Sequence, residues 1–338
     1  MFIDEYPNSS KGKQSHRLLL LIIVKQRRLQ LCFMDYVYLC SVFEDMKQII
    51  LILALFLALP FAGSAKKRAL LVGISTYRTN GRTAWGNIHG KEDVDSLAPA
   101  LTKKGFAVTS LVNEQATYQG ITESIKKLIA ETKKGDIVFI HFSCHGQPVE
   151  DGLLERFPKD EKDGYDEAIV PIDAGKEYSP NGYKGEKHLI DDELNGYMKS
   201  LRTKIGPKGM LYVTIDACHA GESSRKGIET VRGTNEALTS QQDTKYNPPR
   251  SNIRHYQVED AATLSPVLFI EACQSRERNT EIRVNGKEYG ALSFNIWNAL
   301  NQMPSFDINS KEVFKVRVEN STKVKGHWPR TQTLVMEE

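Results

Sequence analysis

From Arg68 onward, short apolar runs alternate with stretches in which apolar residues recur every third or fourth position. The runs "RALLVGIS" (68–75), "FAVTSLV" (106–112), "DIVFIHF" (136–142), "EAIVPID" (167–173), "GMLYVTID" (209–216) and "PVLFIEA" (266–272) read as buried strands. Helical spacing marks 91–105, through Val94, Leu97, Ala98 and Leu101, with Pro99 inside and Gly105 as the stop. It also marks 116–135, through Ile121, Ile125, Leu128 and Ile129, closed by Gly135. Residues 190–203 open with acidic side chains suited to a helix N-terminus, and 290–301 form another helix. Segment 310–320 fits both periods; Val313, Val316 and Asn320 favour a helix. No internal repeat is evident. Strands alternating with helices predict an α/β three-layer sandwich, its central sheet mostly parallel, about six strands wide and covered by helices on both faces. Ligands of such folds lie beyond the carboxyl ends of the strands. The dipeptides Cys144-His145 and Cys218-His219 stand there, as does Gly73 with Ser75.

Two regions break the pattern. Residues 222–264 are polar, contain "NPPR" and hold no sustained period, so they read as a mobile loop too long for a plain connection. At the other end, "MKQIILILALFLALPFAGSA" (46–65) has a basic start, a short apolar core and small residues before "KKR". Those are the parts of a secretory signal peptide, and the apolar core is short for a membrane span. The expectation is translation from Met46, with residues 1–45 not translated, cleavage after Ala65, and a periplasmic or secreted product with no lasting membrane span. The competing reading is a signal anchor.

The 338 residues are 40% hydrophobic and 26% charged, an ordinary globular composition. The formal charge is +3; removing residues 1–65 takes away seven basic and five acidic residues and leaves +1. Nothing in that balance calls for nucleic acid. Three cysteines remain, Cys144, Cys218 and Cys273, an odd count that makes no disulfide framework.

Three chemistries compete for the two Cys-His pairs. Zinc needs four ligands, usually from closely spaced pairs, whereas adjacent residues on extended backbone point in opposite directions. A Cys144–Cys218 disulfide leaves both histidines without a role. Nucleophilic catalysis needs one Cys and one His from neighbouring strand ends, with the thiolate as attacking form. Gly146, Ala220 and Gly221 would let a substrate backbone approach. Each residue also has a bland reading: a lone Cys at a strand end usually packs, and a lone His is usually satisfied.

"HFSCHG" and "TIDACHAG" resemble the histidine and cysteine blocks of the caspase-like cysteine peptidases, the metacaspases in particular. The resemblance runs over about residues 68–300 and includes "DGYDEAIVPID", "LIDDEL" and "VLFIEACQ" with "GKEYGALSFNIWNAL". It implies a caspase-like sandwich with a large-subunit part (66–221), a processing region (222–264) and a small-subunit-like part (265–338). It implies His145 as the catalytic histidine and Cys218 as the nucleophile, with Gly146 and Cys218 N–H groups as the oxyanion hole. Cys144 stands where the family usually has glycine and is assigned to packing. Asp93, Ser143 and Asp216 match positions of the primary specificity pocket, and carboxylates there imply cleavage after Arg or Lys. For Asp93 the competing reading is a solvated helix face. No cofactor is needed for the chemistry. Calcium is the activator the resemblance brings, through Asp166, Asp191 and Asp192, but the family's fourth position holds Arg225 here.

The resemblance also implies peptide or protein substrates, a monomer, and self-processing at one of the basic residues of the loop, Arg225, Lys226, Arg232, Lys245, Arg250 and Arg254. The alternatives are a catalytically silent caspase-like binding module, a zinc or redox protein, and a relative of gingipain or clostripain.

Overall fold

The computed structural model describes residues 65–77, 85–219, 230–241 and 261–338, with scattered helical positions between 24 and 47. Residues 1–64 and 65–338 are separate units. Apart from Met46, Lys47 and Ala65, the segment read as a signal peptide lies outside the described residues. Among the described residues no helix is long and apolar enough to cross a membrane.

Six strands make the central sheet: β1 (Lys67–Gly73), β2 (Phe106–Val112), β3 (Ile137–Ser143), β7 (Met210–Asp216), β8 (Val267–Glu271) and β11 (Val335–Glu337), in the order β11-β8-β7-β3-β1-β2. All neighbours are parallel except β11, which runs antiparallel to β8. The six-stranded sheet expected from the apolar runs is therefore present, with one exchange of members. The run at 167–173 is strand β5 (Tyr165–Val170), and it lies outside the central sheet. It pairs antiparallel with β4 (His145–Glu150) and β6 (Leu189–Ile190) in a small sheet of its own. Its apolar residues are buried there, so burial alone did not reveal which sheet it joins. The short edge strand β11 carries too few residues for a periodic signal. A hairpin of β9 (Ile282–Val284) and β10 (Lys287–Tyr289) completes the strands.

Alternation along each central strand divides the core into two. Leu70 and Val72 of β1, Val138, Ile140 and Phe142 of β3, and Leu211, Val213 and Ile215 of β7 face one layer. Helices α2 (Tyr118–Glu131) and α3 (Asp191–Ile205) cover them, through Ile121, Ile125 and Leu128 and through Leu194, Met198, Leu201 and Ile205. Leu71, Phe139, Tyr212 and Ile270 face the opposite layer. There α1 (Gly90–Lys103), α4 (Ala291–Gln302) and α5 (Lys311–Thr322) close the sandwich with Val94, Leu97, Leu292, Ile296, Phe314 and Val318. Each of these fully buried apolar side chains contributes about 1.5–3 kcal/mol. An aromatic cluster anchors this layer: Phe139, Tyr212, Phe306 and Phe314 meet with ring centroids 5.0–6.0 Å apart. Segment 310–320 is thus helical, because Phe314 and Val318, four residues apart, share the buried face while Val313 and Val316 point to solvent.

The polar run 222–264 departs from the expectation of a loose loop in its described middle. Val231, Arg232, Thr234 and Leu238 are buried, and single β-bridges join Gly233 to Gly146 and to Cys218, Leu238 to Val149, and Val231 to Thr280. The segment has no period of its own because it is held by other strands' backbone groups and by pockets, which leave no trace in local spacing.

Candidate active site

Strand register builds the site. In the parallel pair β3–β7, Ser143 lies opposite Asp216. Two residues further along each chain stand His145, the first residue of β4, and Cys218, and the two segments stay close: a Cβ on Gly146 would lie 2.5 Å from Cys218 O. On the other side of β3, Gly73 of β1 is opposite Ser143, and α1 starts directly above. Asp93, in its first turn, accepts a hydrogen bond from Ser143 Oγ at 2.8 Å. Asp93, Ser143 and Asp216 therefore lie together, and Asp93 is buried rather than on a solvated helix face.

The N-terminus of α4 holds both carboxylates. Ser293 donates to Asp216 Oδ2 through its backbone N–H (2.7 Å) and its hydroxyl (2.6 Å), and Gly290 N–H donates to Asp93 Oδ1 (3.1 Å). Asn279 Nδ2 adds a bond to Asp216 Oδ1 at 2.7 Å. Burial works against the Asp216 charge, but Arg232, Asn279 and Ser293 outweigh it and hold the carboxyl below its ordinary range. Asp93 has less support. Burial pushes it up to about 7, although Arg232 and Ser143 pull the other way.

The pocket is filled by Arg232, whose side chain is 0% exposed. Its Nη2 donates to Asp93 Oδ2 (2.8 Å) and Glu281 Oε1 (2.7 Å), its Nε to Glu281 Oε1 (3.1 Å) and its Nη1 to Ser143 Oγ (2.5 Å). Asp216 Oδ2 is 3.9 Å from Nη1. Three carboxylates surround one guanidinium and hold its charge firmly. The backbone of Arg232 is fixed as well. Its carbonyl oxygen accepts from Cys218 N–H (3.0 Å) and Gly146 N–H (3.2 Å), and its N–H donates to Asn279 O (2.9 Å). Two residues earlier, Thr230 O accepts from Glu281 N–H (2.9 Å), so residues 230–232 lie as an added antiparallel strand against 279–281.

His145 Nε2 faces the carbonyl oxygen of Gly86 at 2.8 Å, a group that only accepts, so Nε2 carries the proton. Nδ1 is buried, has no hydrogen-bond partner and keeps its lone pair. The ring lies between Trp85 and Tyr77, with centroids 5.0 and 4.9 Å away, and burial lowers its pKa to about 4. Imidazole is therefore neutral. The Cys218 thiol donates to Glu277 O at 2.7 Å and packs against Cys273. Among the described residues Cys144, Cys218 and Cys273 form no disulfide. Cys144 is buried and burial pushes its thiol up to about 12, which matches packing rather than reactivity.

Asp166 of β5 meets Asp191 and Asp192 at the start of α3, with Asp151 beside them. An oxygen of each is buried without a hydrogen-bond partner. Burial and then the repulsion of Asp151, Asp192, Glu161 and Glu167 push Asp166 up to about 8. Asp191 is raised by burial, Glu167 and Asp166. Buried anionic oxygens lacking donors are what a hard divalent cation takes. Among the described residues the group whose ligand atoms all lie within 4.8 Å of one another is a different one, His89, Glu281 and Glu288. There the two histidine nitrogens already bond the two carboxylates. Ala220, Gly221 and Arg225 lie outside the described residues.

Local spacing did not single out Arg232, Asn279, Glu281, Gly86 or Asp151. Arg232 is one of several basic residues in a polar run. The others act through backbone groups or through contacts distant in the chain.

A parallel α/β sandwich with a Cys-His pair at adjacent strand ends, and two converging N–H groups between them, defines a caspase-like peptidase architecture. The caspase domain of peptidase family C14 matches residues 66–326, and the chain belongs to that family. Its relatives are metacaspases. Metacaspase-1 of Lodderomyces elongisporus is 26% identical over 285 residues, covering 72% of this chain and 60% of the relative. Metacaspase-1 of Schizosaccharomyces pombe is 26% identical over 282 residues, covering 71% and 61%. Metacaspase-1 of Candida albicans is 33% identical over a shorter 168 residues, covering 47% and 34%. The chain spans about three-fifths of the length of the first two. In fold it is similar to protein GSU0716 from Geobacter sulfurreducens, with a TM-score of 0.55 and 22% identity, covering 80% of this chain and 92% of that one.

Proposed function

We propose that the protein is a cysteine endopeptidase that cleaves after arginine or lysine, with Cys218 as nucleophile and His145 as acid and base, and that it processes itself between Arg232 and Gly233. One observation carries the reading. The Arg232 carbonyl accepts from both Gly146 and Cys218 N–H groups while its guanidinium sits with Asp93, Ser143 and Asp216. That is the posture of a substrate residue before a scissile bond.

The chemistry follows from these groups. The Cys218 side chain leaves the Glu277 carbonyl by a turn about χ1 and passes its proton to His145 Nδ1. The thiolate attacks the Arg232 carbonyl carbon. The oxyanion that forms is held by the two N–H groups, which already point at that oxygen. His145 Nδ1–H then protonates the departing Gly233 amine and the C–N bond breaks. Water, deprotonated by the same nitrogen, hydrolyses the thioester and restores the thiol. His145 suits this role because it is neutral and its tautomer is set by Gly86.

Calcium completes the proposal as an activator. Asp166, Asp191 and Asp192, joined by Asp151 in place of the position Arg225 occupies, would hold it. The ion would remove the repulsion among carboxylates next to the small sheet whose β4 begins at His145; it takes no part in bond breaking. The Met46–Ala65 segment supports export to the periplasm or medium.

The test is to purify wild type and Cys218→Ala, incubate both with and without calcium, and identify new termini by mass spectrometry. Fluorogenic peptides ending in Arg, Lys and Asp are assayed alongside. The expected result is a new N-terminus at Gly233 in wild type alone, with hydrolysis after basic residues. Equal fragmentation of Cys218→Ala, or cleavage after Asp only, overturns the reading.

A further inference from the structure

The specificity pocket holds more carboxylate than the three pocket residues matched from sequence. Glu281, just before β9, has a side chain only 3% exposed, and its Oε1 accepts from both Nε and Nη2 of Arg232. That is the inner edge of the guanidinium. Ser143, Asp93 and Asp216 take the far end. We infer that Glu281, positioned by His89, is the residue that makes this pocket select arginine over lysine. The inference rests on the reading of Asp93, Ser143 and Asp216 as the substrate pocket.

The physical reason is the shape of the two cations. Arginine carries donors along a planar fork, one of them on Nε, partway down the side chain. Lysine ends in a single ammonium and has no donor at that level. A lysine that reaches Asp93 and Ser143 brings no donor to the inner Glu281 oxygen, which loses both guanidinium N–H groups and keeps only the His89 N–H, inside a closed pocket. A buried carboxylate that loses charge-assisted donors is left under-satisfied, at a cost.

Glu281 cannot swing toward a lysine ammonium, because its own oxygens are pinned. His89 N–H donates to Oε1 at 2.8 Å, and His89 Nδ1 lies 2.6 Å from Oε2. His89 Nε2 is in turn 3.2 Å from Glu288. Burial disfavours the His89 cation, but Glu281 and Glu288 outweigh it and raise the imidazole above its ordinary range. The Glu281 backbone also bonds Thr230, which ties the pocket wall to the strand that delivers the arginine. At the far side Gly290 leaves no slack: a Cβ there would lie 2.6 Å from Arg232 Nη1 and 2.2 Å from Asp216 Oδ2. The guanidinium therefore has one seat.

The experiment compares kcat/KM for two fluorogenic peptides that differ only in Arg or Lys before the scissile bond. It uses the full chain as wild type, Glu281→Gln and His89→Ala, with active sites counted by a thiol-directed irreversible inhibitor. Wild type is expected to prefer Arg by about 100-fold. Glu281→Gln is expected to lose most of that ratio, with the Arg value falling through KM and the Lys value nearly unchanged. His89→Ala is expected to lower the ratio partway. A second measurement leaves the pocket wall untouched: Arg232→Lys should slow self-cleavage at position 232 by about the same 100-fold. Equal use of Arg and Lys by wild type, an unchanged ratio in Glu281→Gln, or equal loss on both peptides overturns the inference. If wild type cleaves neither peptide nor itself, the pocket reading fails first and the inference falls with it.

Discussion

The carbonyl oxygen of Arg232 lies 3.0 Å from the backbone nitrogen of Cys218, so the bond after Arg232 is held over the residue assigned as nucleophile. The strand that delivers it belongs to the same chain. Self-cleavage is therefore expected to be intramolecular. Its first-order rate, followed by gel densitometry, should not change over a 100-fold range of dilution, and Cys218→Ala should remain intact. A rate proportional to concentration would assign the cut to a neighbouring molecule.

Gly233 follows the bond proposed to be cut, and the space beside it is closed. A Cβ at that position would stand 1.9 Å from Cys218 O and 3.1 Å from Cys218 Cβ. Gly233→Ala should push the Arg232 carbonyl away from its two donors. A displacement of about 1 Å costs about 100-fold in rate. The expected outcome is self-processing slowed by that order, read from the appearance of the new N-terminus. Unchanged processing would mean that the reacting segment sits elsewhere.

If Asp93 lines the proposed substrate pocket, arginine binding there is expected to depend on pH. Arg232 lowers the Asp93 pKa, and with arginine in place it still stands at about 7 against an ordinary 3.8. In a vacated pocket it is higher, because the lowering charge is gone. Binding of an arginine therefore expels a proton from Asp93, and affinity rises with pH through the region at and above about 7. KM for an Arg peptide should fall as pH rises through that window, more than kcat changes. Asp93→Asn should flatten the slope.

The acidic cluster has a signature that needs no activity. Asp166 is repelled by Asp151 and Asp192. In a chelator at neutral pH, Asp166→Asn should raise Tm, because folding pushes the Asp166 carboxyl from its ordinary range up to about 8 and must hold it protonated, a cost that the neutral amide does not carry. In wild type, calcium should raise Tm by several degrees, and Asp166→Asn should lose most of that shift. A Tm indifferent to calcium in both proteins would remove the ion from the proposal.

The α5 face is tested by Phe314, whose ring meets Phe139, Tyr212 and Phe306 in the buried layer. Phe314→Ala should cost about 3–5 kcal/mol in denaturant unfolding. Val316→Ala, on the exposed side of the same helix, should stay within about 0.5 kcal/mol.

Hydrophobic periodicity was enough for the sandwich, for the positions of its parallel strands and for the helices that cover them, because period and burial are local properties that the order of residues records directly. The Cys-His blocks, read by their resemblance, pointed to His145, Cys218 and the pocket residues Ser143 and Asp216. The rest came from chain segments distant in sequence. That β5 leaves the main sheet while β11 joins it depends on which backbone partners lie free. That Arg232 is seated among carboxylates depends on two N–H groups, from Gly146 and Cys218, and on Asp93, Asp216 and Glu281 meeting at one point. Glu281 itself looks like any acidic residue before a short strand. Folding places it 2.7 Å from Arg232 Nη2, and its part in the pocket exists only once that approach is made.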